Sequence, residues 1–312
     1  MRTIIAATCF LLAIAPAASA QSCNFRLNAD IPLRYNAQAG ALLVDAKVGG
    51  QPIPLIVSTS SPMTTLGRAT VDRLKLETHY DSRYRTRGPS NGDVRFLQVT
   101  LPDFTLGQHR LGSPEVFVQE GTSDGAMPTT GRLGLNILYD YDIEFDVKGG
   151  RLNLYESVPC AHTAPWSGDV ETVPLNHTRK GQRVLFDVTV NGRKMRAELD
   201  SGAPRTMMTL RGARRLGLSA DGMPPGPDLL GVDGKIRATK LHQFESFAIE
   251  GEEIRNPRLP IIEFLKYPGS IAFDGDIEVY VGADWLRAHH VYIARGTHEM
   301  HFAYVGGPVF EK

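Results

Sequence analysis

Ala197-Glu198-Leu199-Asp200-Ser201-Gly202-Ala203 decides the reading of this chain, because Leu55-Ile56-Val57-Ser58-Thr59-Ser60-Ser61 repeats its pattern 142 positions earlier. Both stretches carry apolar strand-forming residues into small polar residues that favour a tight turn. The same offset relates Leu42-Leu43-Val44-Asp45-Ala46-Lys47-Val48-Gly49-Gly50 to Val184-Leu185-Phe186-Asp187-Val188-Thr189-Val190-Asn191-Gly192. Each copy therefore reads as a hairpin: a period-two strand, a glycine turn and a second strand that ends at Ser58 or Asp200.

The parallel continues outward. Residues 68–76 and 211–218 have apolar positions at helical spacing and predict one short helix per copy. Gly-rich turns follow at Gly88-Pro89-Ser90-Asn91-Gly92 and at Gly231-Val232-Asp233-Gly234, each leading into a strand-like segment, 94–101 and 235–247. Further on, Arg132-Leu133-Gly134-Leu135-Asn136-Ile137-Leu138 parallels Tyr280-Val281-Gly282-Ala283-Asp284-Trp285-Leu286 at an offset of 148. Closing strands are expected over 142–147 with 151–155, and over 291–294 with 299–304. Residues 159–174 are rich in Pro, Gly and polar side chains, which predicts a linker between a first lobe over 21–158 and a second over 175–312.

This order of strand, Asp-Ser-Gly-Ala turn, helix, Gly-tipped hairpin, apolar-Gly helix start and terminal hairpin resembles the retropepsin-like aspartic peptidases, in two tandem copies. The resemblance implies a mainly β, two-lobed acid-protease-like fold, each lobe a closed β unit with short helices. It also implies a function. In that family two aspartates meet across a pseudo-twofold axis and share one proton, one serving as base for a water and the other as hydrogen-bond donor to the scissile carbonyl. On this chain the resemblance assigns the catalytic turn to Asp200, Ser201 and Gly202, with Ser201 bracing the two turns and Gly202 permitting the tight backbone. Gly231, Val232, Asp233 and Gly234 become a substrate-binding flap tip.

The first copy departs from the pattern. Ser58 stands where the partner aspartate belongs, and a hydroxyl without a base beside it does not take a proton from water near neutral pH. Thr59 matches Ser201, whereas Ser60 brings a side chain where the second copy has Gly202, predicting a strained or reshaped loop. Ser58 and Thr59 are thus read as a degenerate partner site. Three readings fit these residues: hydrolysis of peptide bonds by water activated at Asp200, with a second carboxylate recruited from elsewhere or with Asp200 of a second chain; a pseudo-peptidase binding extended peptides between its lobes by strand addition; or a purely structural Asp-Ser turn. The first is the expectation carried forward, with a protein or peptide as substrate.

The chain's start carries Arg2, an apolar run over 4–15, Pro16 and then Ala18-Ser19-Ala20, the pattern of a secretory signal with an A-x-A cleavage site. Residues 1–20 are therefore expected to be a signal peptide, and the protein to be exported, periplasmic or secreted. The run is shorter than the roughly 20 residues of a membrane span, so no stable membrane insertion is expected. Cys23 and Cys160 are then the two remaining cysteines in an oxidising compartment, which predicts a disulfide. Lys plus Arg and Asp plus Glu number 34 each, leaving no net field to attract nucleic acid.

Other polar clusters give weaker signals. His298-Glu299-Met300-His301 has the wrong spacing for a helical zinc motif, Asp274-Gly275-Asp276 lacks the further ligands of a calcium loop, and neither a metal nor a cofactor is expected. Asp140, Asp142, Glu144 and Asp146 alternate with Tyr141, Ile143 and Phe145, predicting a solvated strand face. Asp284 is expected to cap a helix and is also a candidate second carboxylate.

Overall fold

A computed structural model describes residues 23–87, 93–119, 131–176, 183–230, 236–263 and 276–310. The fold is mainly β. In the first half the elements are β1 (Leu27–Asn36), β2 (Ala41–Val48), β3 (Gln51–Val57), β4 (Thr65–Gly67), α1 (Arg68–Arg73), β5 (Thr78–Arg87) and β6 (Asp93–Thr100). They continue with β7 (Phe104–Leu106), β8 (His109–Gly112), β9 (Glu115–Gln119), β10 (Gly131–Leu133), α2 (Leu135–Leu138), β11 (Asp142–Asp146) and β12 (Arg151–Tyr155). The second half opens with β13 (Glu171–Pro174), β14 (Leu185–Val190), β15 (Arg193–Leu199), β16 (Met207–Thr209), α3 (Leu210–Arg215), β17 (Leu229–Leu230) and β18 (Ile236–Arg237). It closes with β19 (Lys240–Gln243), β20 (Ser246–Ile249), β21 (Glu252–Arg255), β22 (Arg258–Ile262), β23 (Val279–Val281), α4 (Ala283–Ala288), β24 (His289–Ala294) and β25 (Glu299–Tyr304).

Eight strands of each half repeat in the same order. Sheet order β6-β9-β4-β10-β3-β2-β7-β8 in the first lobe matches β19-β22-β16-β23-β15-β14-β20-β21 in the second. Local chemistry sets the founding hairpins. Gly49-Gly50 and Asn191-Gly192 all have positive φ, the backbone that a two-residue turn between right-twisted strands requires. Register follows from these turns: Leu43 pairs with Ile56 and Leu185 with Glu198, the same pairing displaced by 142 in both strands. In each lobe the second hairpin strand then lies parallel to the apolar-Gly strand, β3 beside β10 and β15 beside β23.

A third set of strands joins the lobes. The order β13-β25-β24-β11-β12-β1 is antiparallel throughout, and its central pair crosses from lobe to lobe, with Ile143 opposite Ile293 and Phe145 opposite Val291. Cys23 and Cys160 are disulfide-bonded beside the β1/β12 ladder, with Cα atoms 5.9 Å apart. A single large apolar cluster runs through the molecule, including Leu55, Val57, Leu133, Phe145, Leu199, Val281, Trp285 and Phe302.

Two expectations change. Asp142 and Glu144 are buried, not on a solvated face. Asp142 accepts from Ser157 Oγ, Tyr292 Oη and Arg295 N, while Glu144 accepts from Asn153, Tyr155 and His290. Period-two alternation separates the two faces of this strand correctly, but Phe25 and Trp166 pack against Tyr155 and Tyr292 and cover the polar one. The strand anticipated over 235–247 is instead broken into β18, β19 and β20, with its first residue outside the described set. Among the described residues no helix is long and apolar enough to cross a membrane, and no group of three or more side chains could hold a metal ion.

Candidate active site

The hairpin strands β3 and β15 deliver Ser58 and Asp200 to equivalent places. Ser58 N donates to Leu133 O at 3.0 Å and Asp200 N to Val281 O at 2.8 Å, so each turn hangs from the apolar-Gly strand of its own lobe. Across the axis the turns grip one another. Thr59 Oγ1 donates to Leu199 O (2.5 Å) and accepts from Ser201 N (3.1 Å); Ser201 Oγ donates to Val57 O (2.8 Å) and accepts from Thr59 N (3.0 Å). Both hydroxyls are fully buried and use donor and acceptor alike, leaving none of these four backbone groups unsatisfied.

Asp200 projects from this brace with Oδ1 accepting from Gly202 N at 3.0 Å. A Cβ at 202 would stand 2.7 Å from Ser58 Oγ and 3.0 Å from Arg132 Nη1, so any other residue there would displace these two side chains. The corresponding Ser60 needs no strain: its φ is not positive, and its hydroxyl lies 3.4 Å from that of Ser58.

The segments behind the turns are also paired. Gly134 N donates to Thr64 Oγ1 and Gly282 N to Thr206 Oγ1, both at 3.0 Å. Thr64 N donates to Asn136 Oδ1 and Thr206 N to Asp284 Oδ1. A Cβ at Gly282 would sit 2.4 Å from the Arg205 carbonyl carbon, so this close approach needs glycine. Asp284 is therefore the counterpart of Asn136 and a backbone anchor. Its Oδ1 also accepts from Thr206 Oγ1 and Trp285 N, and burial raises its carboxyl to about 6 against those hydrogen bonds. It is not the helix N-cap, which is Gly282, and its bonds tie it to its own lobe instead of to Asp200.

Other buried carboxylates in this lobe are likewise committed. Glu198 is ion-paired with Arg183, and Glu278 with Arg215. Tyr280 lies opposite Glu198 in the β15/β23 register, and burial, then the charge of Glu198, hold its hydroxyl well above the usual tyrosine range.

Sequence reasoning missed Arg132. It occupies the register position opposite Ile56, where the second lobe has Tyr280 opposite Glu198. Burial works against its charge and the neighbouring Asp200 supports it. The available signal was an arginine in a slot flanked by Gly131, Leu133 and Gly134 in an apolar repeat. Gly231, Val232, Asp233 and Gly234 lie outside the described residues, as do Gly88-Pro89-Ser90-Asn91-Gly92 and residues 1–20.

Two braced Asp/Ser-type turns on a duplicated β scaffold define the class: a two-lobed protein of the aspartic peptidase type. The profile of the aspartyl protease family matches residues 44–137 and 186–285, one segment in each repeat and more than half of the chain, and the protein belongs to that family. Among solved structures it is similar to the aspartic proteinase from Irpex lacteus, with 13% identity, a TM-score of 0.49, and coverage of 88% of this chain and 97% of that one. No curated protein sequence matches.

Proposed function

We propose that this chain is an exported aspartic-type peptidase that hydrolyses peptide bonds with water activated by Asp200. The observation carrying the reading is the Asp200 turn itself, whose carboxylate accepts from Gly202 N on a backbone held by the Thr59/Ser201 brace. A carboxylate fixed in this way does not spend rotamer entropy at the moment of reaction. In this reading residues 1–20 are the signal peptide, 21–158 and 175–312 the two lobes, 159–174 the linker, and Gly231, Val232, Asp233 and Gly234 the flap tip over an extended peptide.

The test is cleavage of unfolded casein by purified protein from acidic to neutral pH. Wild type is expected to cleave and Asp200→Ala to fall by at least the ~10²–10⁴ that a general base contributes. Equal background from the two proteins would end the hydrolytic reading. Ser58 favours a second reading, peptide binding without turnover, because no carboxyl stands at the position of the family's second acid. Saturable binding of extended peptides by both proteins, with no cleavage, is the outcome that would replace the first reading with the second.

A further inference from the structure

We infer that Arg132 replaces the missing second carboxylate as the electrophile of the site, so that the reaction runs on an Asp/Arg pair. The inference rests on the hydrolytic reading above and deepens it. Three observations converge. Ser58 Oγ and Arg132 Nη1 both lie within 3.0 Å of one point above Gly202, whose N–H is bonded to Asp200 Oδ1. Arg132 belongs to the lobe whose turn lost its aspartate, on β10 beside the Ser58 strand. Among the described residues, the buried acids Glu198, Glu278 and Asp284 of the same lobe as Asp200 are bound to Arg183, Arg215 and Thr206.

The second acid of a dyad gives a hydrogen bond to the carbonyl oxygen as negative charge develops there. A guanidinium supplies five N–H donors and a permanent positive charge for the same task. In the first step Asp200 takes a proton from water, the water oxygen bonds to the carbonyl carbon, and the C=O π pair moves to the oxygen that Arg132 contacts. In the second, that pair re-forms the carbonyl, the C–N bond breaks, and the leaving nitrogen takes the proton held by Asp200. One water is consumed and Arg132 keeps all its protons.

This arrangement differs from a dyad in its pH dependence. Two carboxylates sharing a proton work only between their two apparent pKa values. An Asp/Arg pair needs Asp200 ionised and nothing else in the carboxylate range, so activity rises through one acid limb and stays level through neutral pH. The experiment is the pH profile of kcat/KM on a fluorogenic peptide for wild type, Arg132→Met, Arg132→Lys and Asp200→Ala, with urea midpoints as a check on folding. The expected result is a single acid limb in wild type, a loss of about 10²–10³ in Arg132→Met, and partial recovery in Arg132→Lys. A wild-type profile that falls again with a carboxylate-range midpoint would overturn the inference even if the Met variant does not fold. So would a folded Arg132→Met protein within tenfold of wild type. If Asp200→Ala abolishes activity in either case, the hydrolytic reading survives without Arg132. If wild type never exceeds Asp200→Ala, both fall together.

Discussion

At the scale of single residues, the brace between Thr59 and Ser201 holds the two turns at a fixed separation. Thr59 Oγ1 satisfies Leu199 O and Ser201 N at once, in a fully buried position. Thr59→Val keeps the shape and deletes both bonds, stranding one acceptor and one donor at about 1–3 kcal/mol each. We expect a loss of roughly 2–6 kcal/mol on that basis, seen as a lower urea midpoint at unchanged slope, while Thr59→Ser stays near wild type. An unchanged midpoint in Thr59→Val would mean the brace contributes nothing. Sequence gave access to this pair, because Thr59 and Ser201 sit at the repeat offset of 142. Arg132 was not accessible in the same way. Its polar character is plain, but only the β3/β10 register shows that it stands opposite Ile56, beside the turn that lacks an aspartate.

At the scale of elements, α4 begins on a buried carboxyl that its counterpart α2 replaces with an amide. Asp284 and Asn136 each accept from the backbone N–H of the threonine behind the turn. Burial lifts Asp284 from 3.8 to about 6, so the folded state binds a proton that the unfolded chain has released over that interval. Stability from this group is therefore greatest below pH 4 and falls as pH rises from 4 to 6, by roughly 3 kcal/mol at 1.36 kcal/mol per unit. Asp284→Asn retains the Oδ1 acceptor and removes the titration. We expect it to match or exceed wild-type stability at pH 7 and to lose the decline between pH 4 and 6, as read from urea midpoints across pH. A variant less stable than wild type at pH 7 would show that the charge itself is required. The hairpins could be read in advance because Gly-Gly and Asn-Gly dictate their turns. The burial of β11 could not, since alternation tells which residues share a face without telling what covers it.

At the scale of the whole molecule, the joint between lobes is a polar seam inside a β-sheet. β11 and β24 pair across it, and His290 Nε2 donates to Glu144 Oε1 at 2.6 Å with Trp166 stacked on the imidazole. Burial opposes the charge on Glu144, but hydrogen bonds from His290, Asn153 and Tyr155 outweigh it and hold its carboxyl below 4.5. Its contribution is thus complete above pH 4.5 and lost as pH falls through the folded value. The disulfide acts on the first lobe's edge instead, closing 137 residues of chain, which in the loop-entropy picture contributes about 4–5 kcal/mol. These two constraints have different consequences. Removing the crosslink lowers the stability of one lobe, whereas breaking the seam weakens the coupling between two units that the Thr59/Ser201 brace still joins. Glu144→Ala strips the acceptor from Tyr155 Oη, Asn153 Nδ2 and His290 Nε2 in a buried site, a loss of about 3–5 kcal/mol. Because that loss falls on the β11/β24 pairing that links the lobes among the described residues, calorimetry at pH 7 is expected to resolve the wild-type transition into two in Glu144→Ala, with the disulfide intact. One transition shifted to lower temperature would mean that the apolar pairs Ile143/Ile293 and Phe145/Val291 suffice to keep the lobes cooperative.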